Sequence, residues 1–190
     1  MAQSFSEVAV LFARRDSIYK TLPACDVWDA QRDARLWPGG APAIAHPPCR
    51  TWGRLRYFAK PPDLAEEQAL SFFAVTQVQR WGGVLEHPAG SLLWKAAGLP
   101  RPGHRDEFGW TLFIQQWWFG HRAEKATWIY VVGVEPSVMP PLPFRLGDPT
   151  YVIQSRKKHG EGRPHVSRAE REATPLRLAQ WLVEVARMAV

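Results

Sequence analysis

"DLAEEQALSFFAVTQVQRWGGVLEHP", Asp63 to Pro88, carries two periodicities in succession, and their junction decides the fold class. Asp63 and Glu66 form an Asp-x-x-Glu capping box, apolar residues follow at Leu70, Phe73, Ala74, Val78 and Trp81, and Gly82 supplies a stop. Side chains three and four apart share one helical face, so this spacing predicts an amphipathic helix. "VLEHP", Val84 to Pro88, follows with no room for a loop and predicts a short strand halted by proline. A helix that runs straight into a strand implies a crossover unit, and hence a parallel sheet covered on both faces.

Working outward, "VAVLFA" (Val8 to Ala13) reads as a buried strand, and "RRDSIYKTL" as a short helix capped by Asp16 or Ser17. "ACDVWD" (Ala24 to Asp29) and "APAIAH" (Ala41 to His46) give a second and a third strand, and "ATWIYVVGV" (Ala126 to Val134) is the strongest strand signal in the chain. Thr174 before Pro175 predicts the start of a terminal helix, whose stripe of Leu178, Trp181, Leu182, Val185, Ala186 and Ala189 needs a core and is expected to pack beside the first strand. The stretch Glu135 to Pro149 holds five prolines and reads as irregular. The expected architecture is one α/β domain over residues 1–190: a Rossmann-like, mostly parallel sheet with helices on both faces and a basic, proline-rich excursion at about 135–166.

At 190 residues and 46% hydrophobic, the chain suits one substantial core. Ten Trp, nine Phe and four Tyr are a heavy aromatic load, and several sit beside Arg or Gly, as residues lining a site do. The net charge of +6 points to a polyanionic partner, DNA or a nucleotide. Within Gln154 to Arg171 six Lys/Arg stand against two Glu, so Arg156, Lys157 and Lys158 are expected to contact phosphates. Apolar stretches fall short of the roughly 18 residues that a membrane span needs, and the N-terminus has no basic flank before an apolar core; a cytoplasmic protein without a membrane partner is expected. Cys25 and Cys49 read as reduced thiols, and no third or fourth ligand follows them at zinc-site spacing.

Ligands of an open parallel sheet collect beyond the carboxyl ends of its strands. Cys49 lies just past "AIAH" and Glu86 at the end of "VLE", so neighbouring strands would turn a thiol and a carboxylate toward one crevice. Pro47, Pro48 and Pro88 stiffen both exits, and Arg50 and Arg54 are placed to lower the thiol's pKa and to hold substrate. A small buried cysteine beside a turn is the competing reading. His46, His87 and His121 also stand near strand ends; they read as hydrogen-bonded histidines rather than metal ligands, and the Cys-x-x-Cys of zinc deaminases is absent.

These pieces, in order, resemble the cytosine C5 DNA methyltransferases. "HPPC" resembles the family's Pro-Pro-Cys loop, "LEHP" its Glu-Asn-Val strand end, "HRAEKATWIYVVG" the basic segment leading into a core strand, and "REATPLRLAQWLVEVA" the closing helix. The 37 residues from Cys49 to Glu86, filled by one helix, also suit it. The resemblance implies attack of Cys49 on C6 of a pyrimidine, Glu86 at N3, Arg122 and Lys125 as the basic residues of the site, and S-adenosyl-L-methionine near Phe12 and Ala13. A thiolate at C6 is what makes C5 nucleophilic, and a carboxyl group at N3 stabilises the electron-rich adduct. The chain departs from the family in three ways: "LFARRDSIY" has no Gly-rich turn, the Gln-x-Arg-x-Arg signature is not reproduced, and no stretch is long enough for a target-recognition domain.

The glycine-free turn leaves other readings open. Arg14, Arg15, Ser17 and Lys20 form a basic start that suits a phosphate, and Asp26 and Asp29 stand where a ribose-binding acid falls in a Rossmann-like unit. The expected function is a pyrimidine C5-modifying, methyltransferase-like enzyme. The alternatives are a nucleic-acid-binding relative without catalysis, or a nucleotide-processing enzyme that uses Arg14, Arg15 and Lys20.

Overall fold

The computed structural model describes residues 7–54, 56–153 and 162–189. Its centre is a six-stranded sheet built from β1 (Val8–Ala13), β2 (Cys25–Asp29), β3 (Ala43–Ala45), β4 (Gly83–Pro88), β5 (Gly109–Gln115) and β6 (Ala126–Val132), in the order β2-β1-β3-β4-β6-β5. The pairs β1–β2, β1–β3 and β3–β4 are parallel. β6 pairs antiparallel with both β4 and β5, so β5 runs the same way as β4 and β6 alone among these six is reversed. The sheet is therefore mixed and mostly parallel.

Period-two alternation divides the core. Val8, Val10, Ile44, Val84, Ile129 and Val131 pack on one face, while Ala9, Leu11, Ala43, Ala45, Leu85 and Tyr130 pack on the other. The helix α1 (Leu64–Trp81) covers the second face with Ala74, Val75 and Val78, and α4 (Leu176–Arg187) covers the first with Leu178, Leu182, Val185 and Ala186. Each large apolar side chain so buried stabilises by roughly 1.5–3 kcal/mol. As its stripe requires, α4 lies against β1, and also against β3 and β4. The shorter helices are α2 (Leu92–Ala96) and α3 (Arg168–Glu172).

Local signals act much as the sequence leads one to expect. Asp63 caps α1, its Oδ1 accepting the Glu66 amide at 2.9 Å. Gly82 and Gly83 both take positive φ between α1 and β4. A Cβ on Gly83 would stand 2.1 Å from the Ala43 carbonyl oxygen, so only glycine lets β4 approach β3. Ser17 occupies the start of a 3-10 turn, Ile18–Thr21, but its side chain makes no capping bond, and α4 is capped one residue after Thr174, at Pro175. Residues 135–149 hold one 3-10 turn, Pro136–Val138, and no strand.

Candidate functional site

The order of the parallel strands changes direction between β1 and β3, because β2 lies outside β1 on one side while β3 and β4 extend the other. Such a switch point opens a crevice at the carboxyl ends of the two strands. β3 delivers His46, Pro47, Pro48 and Cys49 there, and β4 delivers Glu86.

The loop after β3 is held from below by α1. Trp52 Nε1 donates to Ser71 Oγ at 2.9 Å, and Ser71 Oγ donates to the Pro48 carbonyl at 3.4 Å. The Cys49 carbonyl accepts the amides of Trp52 and Gly53 at 3.1 and 2.9 Å, which winds the chain into a turn and leaves Cys49 exposed. Arg50 pairs through its guanidinium with the buried Glu67 of α1. Arg54 is exposed and has no ion pair among the described residues.

Beside the cysteine lies a chain of buried and half-buried polar groups. Glu86 Oε2 meets His46 Nδ1 at 3.1 Å, His46 Nε2 meets Tyr19 Oη at 3.1 Å, and Glu86 Oε1 accepts from Gln116 Nε2 at 3.1 Å. Gln116 also donates to Thr127 Oγ1. Burial and the neighbouring Glu86 charge raise the Tyr19 phenol well above its usual range, so it is a neutral hydroxyl hydrogen-bonded to His46. Burial alone would raise the Glu86 carboxyl, but the His46 hydrogen bond and the charges of His46, Lys125 and His87 outweigh it and hold Glu86 ionised, well below the usual carboxylate range.

The thiol, the carboxylate and an amine act on one another. Partial desolvation raises the Cys49 pKa, Glu86 raises it further, and Lys125 pulls it down. Burial lowers Lys125, while Glu86 and Cys49 push it up; its Nζ donates to the Ala173 carbonyl at 3.1 Å, and Arg14 and Glu172 complete its electrostatic surroundings. Three of the four residues expected to be catalytic, Cys49, Glu86 and Lys125, thus share one site. The expectation that Arg50 and Arg54 lower the thiol's pKa is corrected: desolvation and then Glu86 shift it upward, Arg50 pairs with Glu67 instead, and Lys125 is the cation that opposes the rise.

Arg122 is not part of this group. It forms two hydrogen bonds of 2.5 Å to Glu170 of α3 and stacks over Tyr151, an arrangement that fastens α3 to the sheet. His121 joins the same contact through the Ala123 and Glu170 carbonyls. Among the described residues no group of three or more His, Cys, Asp or Glu is arranged to hold a metal ion.

The exits of β1 and β2 are occupied by their own ion pairs. Arg14 bonds Asp16 and Glu172, Lys20 bonds Asp29 at 2.7 Å, and Arg32 bonds Asp26 at 2.5 Å. Asp29 is held well below its usual pKa by Lys20 and by the amides of Gln31 and Arg32, and Asp26 also takes the Trp28 indole N–H. Both acids thus already have cationic partners, and Arg14 and Lys20 have acidic ones. Phe12 sits at a bulge in β1 with φ 59° and packs edge-on against Phe73, while Ala13 is buried in the core. In this structure the residues expected to hold S-adenosyl-L-methionine thus have internal partners. An open cleft of about 410 Å³, lined by Arg15, Asp29, Ala30 and Gln31, remains beside them. Arg156, Lys157 and Lys158 lie outside the described residues.

Sequence reasoning missed Tyr19, Gln116 and Thr127. The available signal was polarity inside apolar surroundings: Gln115 and Gln116 interrupt an otherwise apolar, aromatic run from Leu112 to Phe119. No protein-family model, no curated protein and no solved structure matches the chain.

Proposed function

We propose that the chain activates C5 of a pyrimidine through a covalent bond from Cys49, within a Rossmann-like sheet and on a base carried by nucleic acid or a nucleotide. The observation that carries this reading is the meeting of Cys49, Glu86 and Lys125 at the carboxyl ends of the adjacent strands β3 and β4.

The resting thiol is protonated, since desolvation and the Glu86 charge both hold its pKa up. When a cytosine seats its N3 against Glu86, the proton that the thiol loses passes to Glu86 and is shared with N3, so the carboxylate charge is neutralised as the thiolate forms and Lys125 remains as its charged neighbour. The thiolate then adds at C6, and the C5–C6 π pair moves to C5, which takes a proton. Loss of the original C5 proton returns the pair and expels the thiolate, so the cycle balances without a co-reactant. His46, fixed between Tyr19 and Glu86, orients the carboxylate and relays its proton. The methyl donor implied by the family resemblance finds Asp26 and Asp29 already bonded, and no step is assigned to it.

Hydrogen exchange at C5 tests the proposal directly. Incubated in heavy water with a cytosine-containing oligonucleotide, the protein should replace the C5 hydrogen by deuterium, read by mass spectrometry, and Cys49→Ser should abolish the exchange. A folded wild-type protein that exchanges nothing, on oligonucleotide or nucleotide, overturns the reading.

A further inference from the structure

The segment that follows the nucleophile has a composition that neither the fold nor the covalent chemistry requires. Between Cys49 and Pro62 there are four cations, Arg50, Arg54, Arg56 and Lys60, and no acid. Tyr57 and Phe58 are 79% and 81% exposed, at a 3-10 turn formed by Arg56, Tyr57 and Phe58. Two adjacent aromatic rings left in water on a folded chain call for a partner with flat apolar faces.

The surrounding charges say which partner. The Arg56 guanidinium lies 4.2 Å from the centre of the Tyr57 ring and also hydrogen-bonds its hydroxyl, so cation and ring are presented together. The nearby acids of α1 are already neutralised, Glu66 by Arg35 and Glu67 by Arg50. Arg54 and Lys60 stand exposed on either side of the aromatic turn. A polyanion with stackable faces matches this pattern, and an acidic peptide matches only its charge.

We propose that Arg54, Arg56, Tyr57, Phe58 and Lys60 form a stacking surface for single-stranded nucleic acid, which leads unpaired bases to Cys49. The argument for single strands is geometric: a duplex hides its base faces in the stack, whereas exposed aromatic rings gain only from bases that are free to lie on them. The chemistry agrees, because a thiol can reach C6 only on a base taken out of the helix. This inference deepens the proposed function by naming its substrate class.

The test is fluorescence anisotropy with the full chain carrying Cys49→Ser, so that binding is read without covalent capture, against a labelled 15-nucleotide single strand and the duplex of the same sequence. The single strand should bind more tightly. Tyr57→Ala with Phe58→Ala should weaken single-strand binding by at least about tenfold and leave duplex binding unchanged. Arg54→Ala, Arg56→Ala and Lys60→Ala together should flatten the slope of log affinity against log salt by about two. These side chains are exposed, so an unchanged melting curve should show that each variant is folded. Equal affinity for the two forms, or a double aromatic variant that binds like its parent, overturns the stacking surface. Deuterium exchange at C5 by a protein with no single-strand preference removes this inference alone, and single-strand preference without exchange removes the covalent reading alone.

Discussion

Two pairs of strand exits lie side by side on this sheet and use polar residues in opposite ways. Beyond β1 and β2 the charges are many and mostly exposed, and they cancel locally: Arg14 with Asp16, Lys20 with Asp29, Arg32 with Asp26. Beyond β3 and β4 the polar groups are fewer and mostly buried or half-buried, and they do not cancel. His87 has no well-formed hydrogen bond at either ring nitrogen, Gln116 Oε1 is unpaired, and the exposed Cys49 feels the opposed charges of Glu86 and Lys125. Density of charge marks the first region, and unfinished bonding marks the second. A buried polar group without a partner costs the fold free energy, so its retention points to chemistry more strongly than a satisfied ion pair does.

The comparison breaks most completely at Gly83. Gly83→Ala drives a Cβ into the Ala43 carbonyl and forces a strained φ of 107°, so β4 must part from β3. We expect a loss of about 3 kcal/mol or more in chemical unfolding, together with loss of the thiol's perturbed reactivity. Unaltered stability would mean that the two strands do not approach as described.

His87 sharpens it. The ring is buried, neither of its nitrogens makes a well-formed hydrogen bond, and desolvation lowers its pKa to about 4. A folded pKa below the unfolded value of about 6.5 means that the unfolded chain binds more protons between those limits. Stability is therefore fully present above pH 6.5 and is lost as pH falls toward 4, by about 3 kcal/mol if this group acts alone. His87→Phe, which keeps an aromatic ring beside Trp94, should flatten stability over that window. Glu86, whose pKa is depressed, loses its contribution only below the ordinary carboxylate range, so the two effects separate along the pH axis. A His87→Phe profile parallel to wild type would place the acid sensitivity elsewhere.

The quiet region supplies the smallest effect. Asp26→Asn leaves a neutral acceptor for Trp28 and removes a solvent-screened pair with Arg32, so melting temperature should move by about 2 °C or less. Deuterium exchange at C5 should be unaffected. A large loss of exchange in this variant would reverse the assignment of the two regions.

What the chain discloses in advance follows the range of the forces involved. α1 and β4 were legible because a capping box, a 3.6-residue repeat and a glycine stop are local signals. The juxtaposition of Cys49 and Glu86 was legible because both fall at strand ends that a crossover places together. β5 was not, since "GWTLFIQ" is an edge strand that is half buried on both faces and shows no clean alternation. The partner of Arg50 was hidden for a similar reason: only the folded chain shows that α1 begins beneath the cysteine loop and brings Glu67 to it. Tyr19 and Gln116 look like ordinary surface residues until the sheet closes over them.

The contacts that close the site also fix when it can exist. Tyr19 and His46 are 27 residues apart, Gln116 and Glu86 30, His46 and Glu86 40, and Arg14 and Glu172 158. Each needs a long loop to close before it returns any stabilisation, whereas β1 with β2 and β5 with β6 pair over short connections at the two ends of the sheet. On that ground the middle of the sheet, where the thiol acquires its neighbours, is expected to assemble last. During refolding Cys49 should keep the alkylation rate of an unfolded thiol until the slowest phase, and a chain still being synthesised carries an ordinary cysteine until α3 has emerged to support Lys125.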